Sequence, residues 1–417
     1  NPMPVLLSNH GWGSNLNGLS WWMNFESGSI LVSSNQEPYD WWTGYHELRG
    51  IVSPSQSAWS QGVVRPYTQR RINAFYDWVC DHWNVDRSRA IWCGVSMGGS
   101  GSIMHGIRNP DRVAWVNSWV GVHVPAESPT FRSSYEGSYG QLGWNILYED
   151  GITPAFSWFD DDWYLRNHLT DETPFISFSN GKNDSAIGWS QAVKFLRALQ
   201  DTKRPFTFDF GMSGHNQRAL NPPNIDGVRS ESVNPIDIRT DQSLPAFNNC
   251  SLDDDPGNGD PADGDESGQI NAYLFWKTGD IVDQPAEWAM TIGLVQTAPE
   301  DSCTVSLTPR RLQQFGVSAG ASCSWTNTDI ASGQVIQQGT VQADPNGLVT
   351  IDNLIVNQIT RSGGGNRIRI VSGAVPNHPP VLAPVGSRSV QAGQQIQFTV
   401  EASDADGDPL QFSATGE

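Results

Sequence analysis

The sequence predicts an α/β domain built on a predominantly parallel sheet, followed by one or more all-β sandwich domains. Three observations carry this. From residue 1 to about 215, apolar strand-like runs alternate with amphipathic helix-like runs. The composition then shifts to an acidic Pro/Gly stretch, "SLDDDPGNGDPADGDESG", from Ser251 to Gly268. Beyond it, short strand patterns separated by turn residues recur to about residue 372.

The elements follow in order. "MPVLLSN" and "SILVSSN" read as buried strands. "YTQRRINAFYDWVCDHW" carries Ile72, Phe75, Tyr76 and Val79 on one helical stripe. "RAIWCG" is strand-like and "SGSIMHGIRN" helix-like; "RVAWVNSWVG" and "PFISFSNG" are strands. "WSQAVKFLRALQ" places Val193, Leu196 and Leu199 on one helix face, and the strand "FTFDFG" follows. Such alternation predicts a parallel sheet with helices on both sides. An aromatic-rich insertion, about 121–173, is expected to form a cap or substrate wall over the carboxyl ends of the strands. Residues 1–235 are therefore read as one domain and 236–268 as an acidic Pro/Gly linker. Seven short strands over 269–372, with the hairpin signal "DPNG" at Asp344 to Gly347, suggest a β-sandwich.

The totals exclude some functions. With 417 residues and a net charge of −19, a nucleic-acid partner is disfavoured, since its phosphates would be repelled. No apolar run reaches the roughly 18 residues that span a bilayer. The chain starts at Asn1 with neither Met nor signal peptide, so a processed or truncated protein is expected. The five cysteines form no C-x-x-C pair. Cys303 and Cys323 lie in one β-rich segment and are candidates for a bridge, Cys80 and Cys93 are either bridged or buried thiols, and Cys250 is left over.

The chemistry centres on Gly94-Val95-Ser96-Met97-Gly98, a G-x-S-x-G pattern between a strand and a helix. A nucleophilic serine needs that setting: glycines let helix and strand approach, and a sharp turn lifts the hydroxyl above the sheet. The alternative is a glycine-rich turn without chemistry. A second match, Gly316 to Gly320 around Ser318, has no preceding buried strand or following helix and reads as a turn. A serine hydroxyl also needs a base. In sheets of this type the order is Ser, acid, His, so the base follows the last strand. His215, in "FTFDFGMSGHNQ", does so. Asp184, in "SFSNGKNDSAIG", follows the penultimate strand and is the candidate acid; its other reading is a helix-capping turn residue. Asp160, Asp161 and Asp162 are its rivals.

These motifs carry a family resemblance. "LLSNHGWG", "CGVSMGGSG", "GKND" and "GHNQ" over residues 1 to about 220 resemble the α/β-hydrolase superfamily. The stretch "NVDRSRAIWCGVSMGGSGSIMHGIRNPDRVAWV" looks most like its secreted esterase branch of polyhydroxybutyrate depolymerase-like and feruloyl or acetylxylan esterases, and somewhat like prolyl oligopeptidases. The resemblance implies an α/β-hydrolase fold with Ser96 as nucleophile, Asp184 as acid and His215 as base. His10-Gly11-Trp12 matches the His-Gly oxyanion segment, so the backbone N–H groups of Trp12 and Met97 are the expected oxyanion donors. One departure stands out: the fold usually opens with an antiparallel strand pair, whereas here the His-Gly strand begins within a few residues of Asn1.

The tail, 373–417, resembles the start of a truncated cadherin-like or immunoglobulin-like repeat of bacterial secreted proteins, with "DADGDPL" after a "FTV" strand. Calcium is a candidate ligand at Asp404, Asp406 and Asp408 and in the acidic linker, where a solvated spacer is the competing reading. Fifteen of the 18 Trp precede His215, and Trp42 and Trp189 are candidate substrate contacts. The expectation is a secreted, bacterial serine ester hydrolase that needs no cofactor. Its substrate is a polymeric or surface-bound ester, either a polyester such as polyhydroxybutyrate or an acylated polysaccharide. A serine peptidase of the prolyl-oligopeptidase kind, and an inactive adhesin or scaffold, are the alternatives.

Overall fold

The structure is a computed structural model. It describes residues 2–17, 29–53, 57–217, 237–360, 363–373, 380–386, 388–391, 393–403, 410 and 412–413. The candidate calcium residues Asp404, Asp406 and Asp408 lie outside them.

Strands β1 (Met3–Asn9) and β2 (Ile30–Ser33) lead to helix α1 (Tyr67–His82), strand β3 (Val85–Val95), helix α2 (Met97–Arg108) and strand β4 (Trp115–Trp119). The insertion holds helices α3 (Arg132–Tyr139) and α4 (Asp161–Asn167). Strand β5 (Phe175–Gly181), helix α5 (Trp189–Asp201) and strand β6 (Phe206–Gly211) complete the alternation. Then come β7 (Leu244–Asn248), β8 (Gly268–Ile270), β9 (Leu274–Trp276), β10 (Glu287–Leu294), β11 (Ser302–Arg310), β12 (Ser322–Asp329), β13 (Val335–Gln342), β14 (Ile351–Asn357) and β15 (Asn366–Ser372).

The main sheet has the order β8-β6-β5-β4-β3-β1-β2. Its strands pair in parallel except at the edge, where β8 runs antiparallel to β6. Because successive strand residues face opposite ways, each strand serves two cores. Val5, Leu7, Trp92, Val116, Ile176 and Phe178 join one apolar cluster, with Ile72 and Tyr76 of α1, Ile103 and Ile107 of α2, and Val193 and Leu196 of α5. Their neighbours Leu6, Ile91, Cys93, Trp115 and Phe175 join a second cluster with Phe247, Trp276, Trp288, Leu307, Ile351 and Ile370.

The second face of the sheet therefore corrects the expectation of helices on both sides. Among the described residues it is covered by β-structure from the C-terminal half. A three-stranded sheet, β7-β11-β14, and a sheet containing β9-β10-β15-β12-β13 contribute to one apolar cluster with it. Burying each large apolar side chain contributes roughly 1.5–3 kcal/mol, so this layer belongs to the core. Polar contacts fix its placement. Arg311, buried, donates to the carbonyls of Val113 (3.0 Å) and Thr173 (2.9 Å), and Arg310 pairs with Glu172 at 3.1 Å.

The stretch read as a linker also differs. It contains β7, whose five residues are all buried against β11. The acidic loop after β7 closes on itself: Asp255 N donates to Asp265 Oδ2 and Asn258 N to Asp263 Oδ2. Asp residues favour such turns because their carboxylates accept nearby backbone N–H groups. All five cysteines are free thiols, and Cys303 lies against Cys250, its hydrogen-bond partner, rather than bridging to Cys323. Cys80 packs on the helical side of the sheet and Cys93 on the other, which separates that pair.

Candidate active site

Ser96 sits between β3 and α2 with φ 58° and ψ −121°, a left-handed conformation strained for a residue with a Cβ. Its neighbours make the turn possible. A Cβ added at Gly94 would collide with Gly98, and one at Gly98 would collide with the carbonyl of Asn9 at the end of β1. The Ser96 N–H donates to Trp119 O at 2.8 Å, tying the turn to β4. Met97 begins α2, so its N–H is at the helix end, where positive dipole charge accumulates.

The other two candidates arrive from the adjacent strands. Asp184 lies in the turn after β5 and His215 in the loop after β6. Gly181 has no room for a side chain against the carbonyls of Ser213 and Gly214, so these two loops lie in contact. Lys182 N donates to Gly211 O and Asn183 N to Ser213 O, fastening them. His215 Nδ1 is 2.6 Å from Asp184 Oδ2, and His215 Nε2 is 2.8 Å from Ser96 Oγ. A carboxylate only accepts, so Nδ1 carries the imidazole proton and Nε2 accepts from the serine hydroxyl. Asp184 is 4 % exposed, and its Oδ1 accepts from the N–H groups of Ala186 and Ile187. Asp184 does not cap α5, which starts at Trp189 behind Gly188; its Oδ1 closes the turn before that helix while its Oδ2 faces His215. The three rivals are engaged elsewhere: Asp160 caps α4, Asp161 pairs with Arg108 at 2.8 Å, and Asp162 pairs with Arg166 at 2.7 Å.

The segment His10-Gly11-Trp12 lies beside the serine. A Cβ at Gly11 would be 3.2 Å from Val95 O and 3.7 Å from Ser96 Cβ. His10 holds this segment in shape. Its Nε2 accepts from Gln36 N at 2.9 Å, which leaves the proton on Nδ1 to be donated to Gly11 O at 2.8 Å. Burial lowers the His10 pKa, favouring this neutral tautomer. Behind it, Gln36 donates to Asp40 Oδ1, and Thr68 donates to Asp40 Oδ2. Burial raises the Asp40 carboxyl to about 6 against the pull of the Thr68 hydroxyl and of the Arg49 and Arg71 cations. No motif in the sequence signals Gln36 or Asp40; Gln36 stands 26 positions beyond His10.

Two expected substrate contacts are corrected. Trp42 is 1 % exposed, with its Nε1–H bonded to His10 O at 3.0 Å, so it supports the His10 segment from behind. Trp189 is 3 % exposed because the first turn of α5 presses it on Phe208 and Phe210. Trp12 itself is 46 % exposed, next in the chain to the Gly11 that abuts Ser96. It packs against Tyr39 (centroids 4.8 Å apart), Trp41 (6.0 Å) and Phe131 (6.3 Å). Phe131 belongs to the insertion, whose Tyr135, Tyr139 and Phe159 pack into the core instead of forming a free-standing cap. Among the described residues, no group of three or more His, Cys, Asp or Glu side chains is arranged to hold a metal ion, and no helix is long and apolar enough to cross a membrane.

Comparison with known proteins gives one family match and a set of similar solved structures. An esterase family model matches residues 45–221, the span that carries Ser96, Asp184 and His215. No curated protein matches the chain. Solved structures with similarity include an S-formylglutathione hydrolase from Agrobacterium tumefaciens, at 17% identity over 52% of this chain and 78% of that one, TM-score 0.37. A ferulic acid esterase from Anaeromyces mucronatus shows 14% identity over 52% and 74%, TM-score 0.31. An acylaminoacyl peptidase from Pyrococcus horikoshii shows 12% identity over 52% and 34%, TM-score 0.36. With the parallel sheet and the serine turn, the esterase match makes this chain a serine hydrolase of the carboxylic ester kind.

Proposed function

We propose that the chain cleaves a carboxylic ester through an acyl-enzyme on Ser96. The observation that carries this is the unbroken hydrogen-bonded line from Ser96 Oγ through His215 to Asp184. In this reading His215 Nε2 takes the hydroxyl proton as Oγ attacks the ester carbonyl. Asp184 holds the imidazole by its Nδ1–H and stabilises the imidazolium that forms. The N–H groups of Met97 and Trp12 receive the oxyanion, the first at a helix end and the second on the segment locked by His10. His215 then protonates the departing alcohol, and a water activated by the same imidazole releases the acid. Proton transfers and bond changes close within these residues, ester and water.

We further infer an extracellular role and a polymeric or surface-bound ester, either polyester or acylated polysaccharide. Support for the location is the resemblance of residues 84–116 to secreted esterases. Support for the substrate is the partly exposed Trp12, next in the chain to the Gly11 that abuts Ser96 and packed on Phe131, a surface suited to a flat or apolar chain segment.

A fluorophosphonate probe with Ser96→Ala as control, followed by a screen of p-nitrophenyl esters, feruloylated sugars, acetylated xylan and polyhydroxybutyrate, tests the reading. Labelling of the native chain alone, with turnover of at least one ester, is expected. Equal labelling of both proteins, or faster turnover of peptide anilides than of esters, overturns it.

A further inference from the structure

The acidic loop and Lys182 are not accounted for by the chemistry above. Lys182 is 2 % exposed, and its ammonium donates to two backbone carbonyls of the loop, Asp263 O at 2.6 Å and Asp265 O at 2.7 Å. Its cation also lies over the rings of Trp189 (5.7 Å) and Phe210 (5.8 Å). A buried ammonium is retained only where its donors are satisfied. Here the partners are supplied by residues some 80 positions away, outside the span matched to esterases.

The loop is shaped to present those carbonyls. Asp265 N donates to Asp255 O and Asp255 N to Asp265 Oδ2, each at 2.7 Å. Gly257 and Gly264 have φ of 78° and 74°, and a Cβ on either would meet the opposite side of the loop. The base of the loop is fixed as well. Asp254 Oδ2 accepts from Gln269 N, and β8 pairs with β6 through Gly268 and Phe210.

Lys182 precedes Asp184 by two residues, in a turn whose first residues bond the His215 loop. Lys182 N bonds Gly211 O, Asn183 N bonds Ser213 O, and Asn183 Nδ2 bonds Met212 O at 2.6 Å. The turn is thus held on one flank by the histidine loop and on the other by the Lys182 side chain.

We propose that Lys182 is a positioning residue and that loop 255–265 is its brace, together fixing the Asp184 turn against His215. The acidic segment is then part of the catalytic apparatus, working through Asp184 without touching substrate. This rests on the reading of Asp184 as the acid partner of His215.

The test uses the full chain with Lys182→Met, Lys182→Arg and Asp265→Ala, measured on p-nitrophenyl acetate beside Ser96→Ala. Methionine keeps the apolar stem and removes the donors. A loosened Asp184 stabilises the imidazolium less, so the acidic limb of the kcat/KM profile should move to lower pH in Lys182→Met. Its kcat should fall about tenfold at near-constant KM, a loss in scale with a sub-ångström displacement. Lys182→Arg should restore part of the loss. Asp265→Ala, which removes the carboxylate that accepts from Asp255 N but keeps the backbone carbonyl that Lys182 bonds, should loosen the loop and shift the profile the same way by less. Folded variants, judged by Tm, with native kcat and native pH profile overturn the brace. If Lys182→Met does not fold, Asp265→Ala alone decides by the same criterion. Activity surviving in Ser96→Ala would instead remove the triad on which the brace acts.

Discussion

Ser96 and Ser318 occupy the same five-letter pattern, and the molecule treats them in opposite ways. Gly94 and Gly98 are squeezed between β3, α2 and the end of β1, with no space for a Cβ, whereas Gly316 has open space around it. Ser96 is 9 % exposed, adopts a positive φ and reaches an imidazole. Ser318 is exposed and closes a turn between β11 and β12, with Ala321 N bonded to its carbonyl. The letters encode permission for a tight approach. Only a strand before and a helix after turn that permission into a strained, presented hydroxyl.

The widest separation between the two sites is expected from deleting each hydroxyl. Ser96→Ala should lower kcat on a p-nitrophenyl ester by about 10⁴-fold or more, as removal of a triad nucleophile does. Ser318→Ala should leave it unchanged. Comparable losses at both positions would erase the distinction. Next in size, Asp184→Asn should cost about 10²–10⁴-fold in kcat, because an amide favours the wrong imidazole tautomer while keeping the shape. Steady-state rates with a circular dichroism check of folding decide this.

Gly98→Ala and Gly316→Ala probe the glycines directly. Helix propensity alone would make Ala at position 98 favourable by about 1 kcal/mol. The collision with Asn9 O should reverse that sign and destabilise by about 2–4 kcal/mol, while Gly316→Ala should stay within about 0.5 kcal/mol. Urea titration of the two variants reads the difference. A stabilised Gly98→Ala would mean the elbow is looser than its geometry.

The sequence made the sheet legible because strands and helices leave periodic apolar patterns, and the chain order Ser, acid, His pointed to Ser96, Asp184 and His215, which the fold brings into one hydrogen-bonded line. What covers the far face of that sheet was not legible. Leu6, Ile91 and Trp115 are apolar whichever layer packs on them, and nothing local says that the layer is β-structure from 200 residues downstream. The same limit hid the role of Lys182, whose partners are backbone carbonyls and so leave no trace in residue type. Tryptophan misled for a related reason. Trp12, Trp42 and Trp189 are chemically identical, and their exposures of 46 %, 1 % and 3 % follow from which side of a loop or helix faces the core.

Trp12 gives the smallest and most selective contrast. Its N–H belongs to the backbone and survives truncation of the ring, so Trp12→Ala separates the two uses of one residue. The ring lies on Tyr39 and Phe131. Loss of the ring removes apolar contact area without touching the proton path, so kcat on p-nitrophenyl acetate should change by less than about threefold. KM for a longer or aromatic acyl ester should rise roughly 5–30-fold, the scale of one lost apolar contact of about 1–2 kcal/mol. Trp42→Phe removes instead the Nε1–H that holds His10 O, and should lower kcat on both substrates alike. A Trp12→Ala variant that loses kcat on the acetate as strongly as on the larger ester would show that the ring holds the oxyanion segment rather than the substrate. The apolar contact would then have to be sought elsewhere around Ser96.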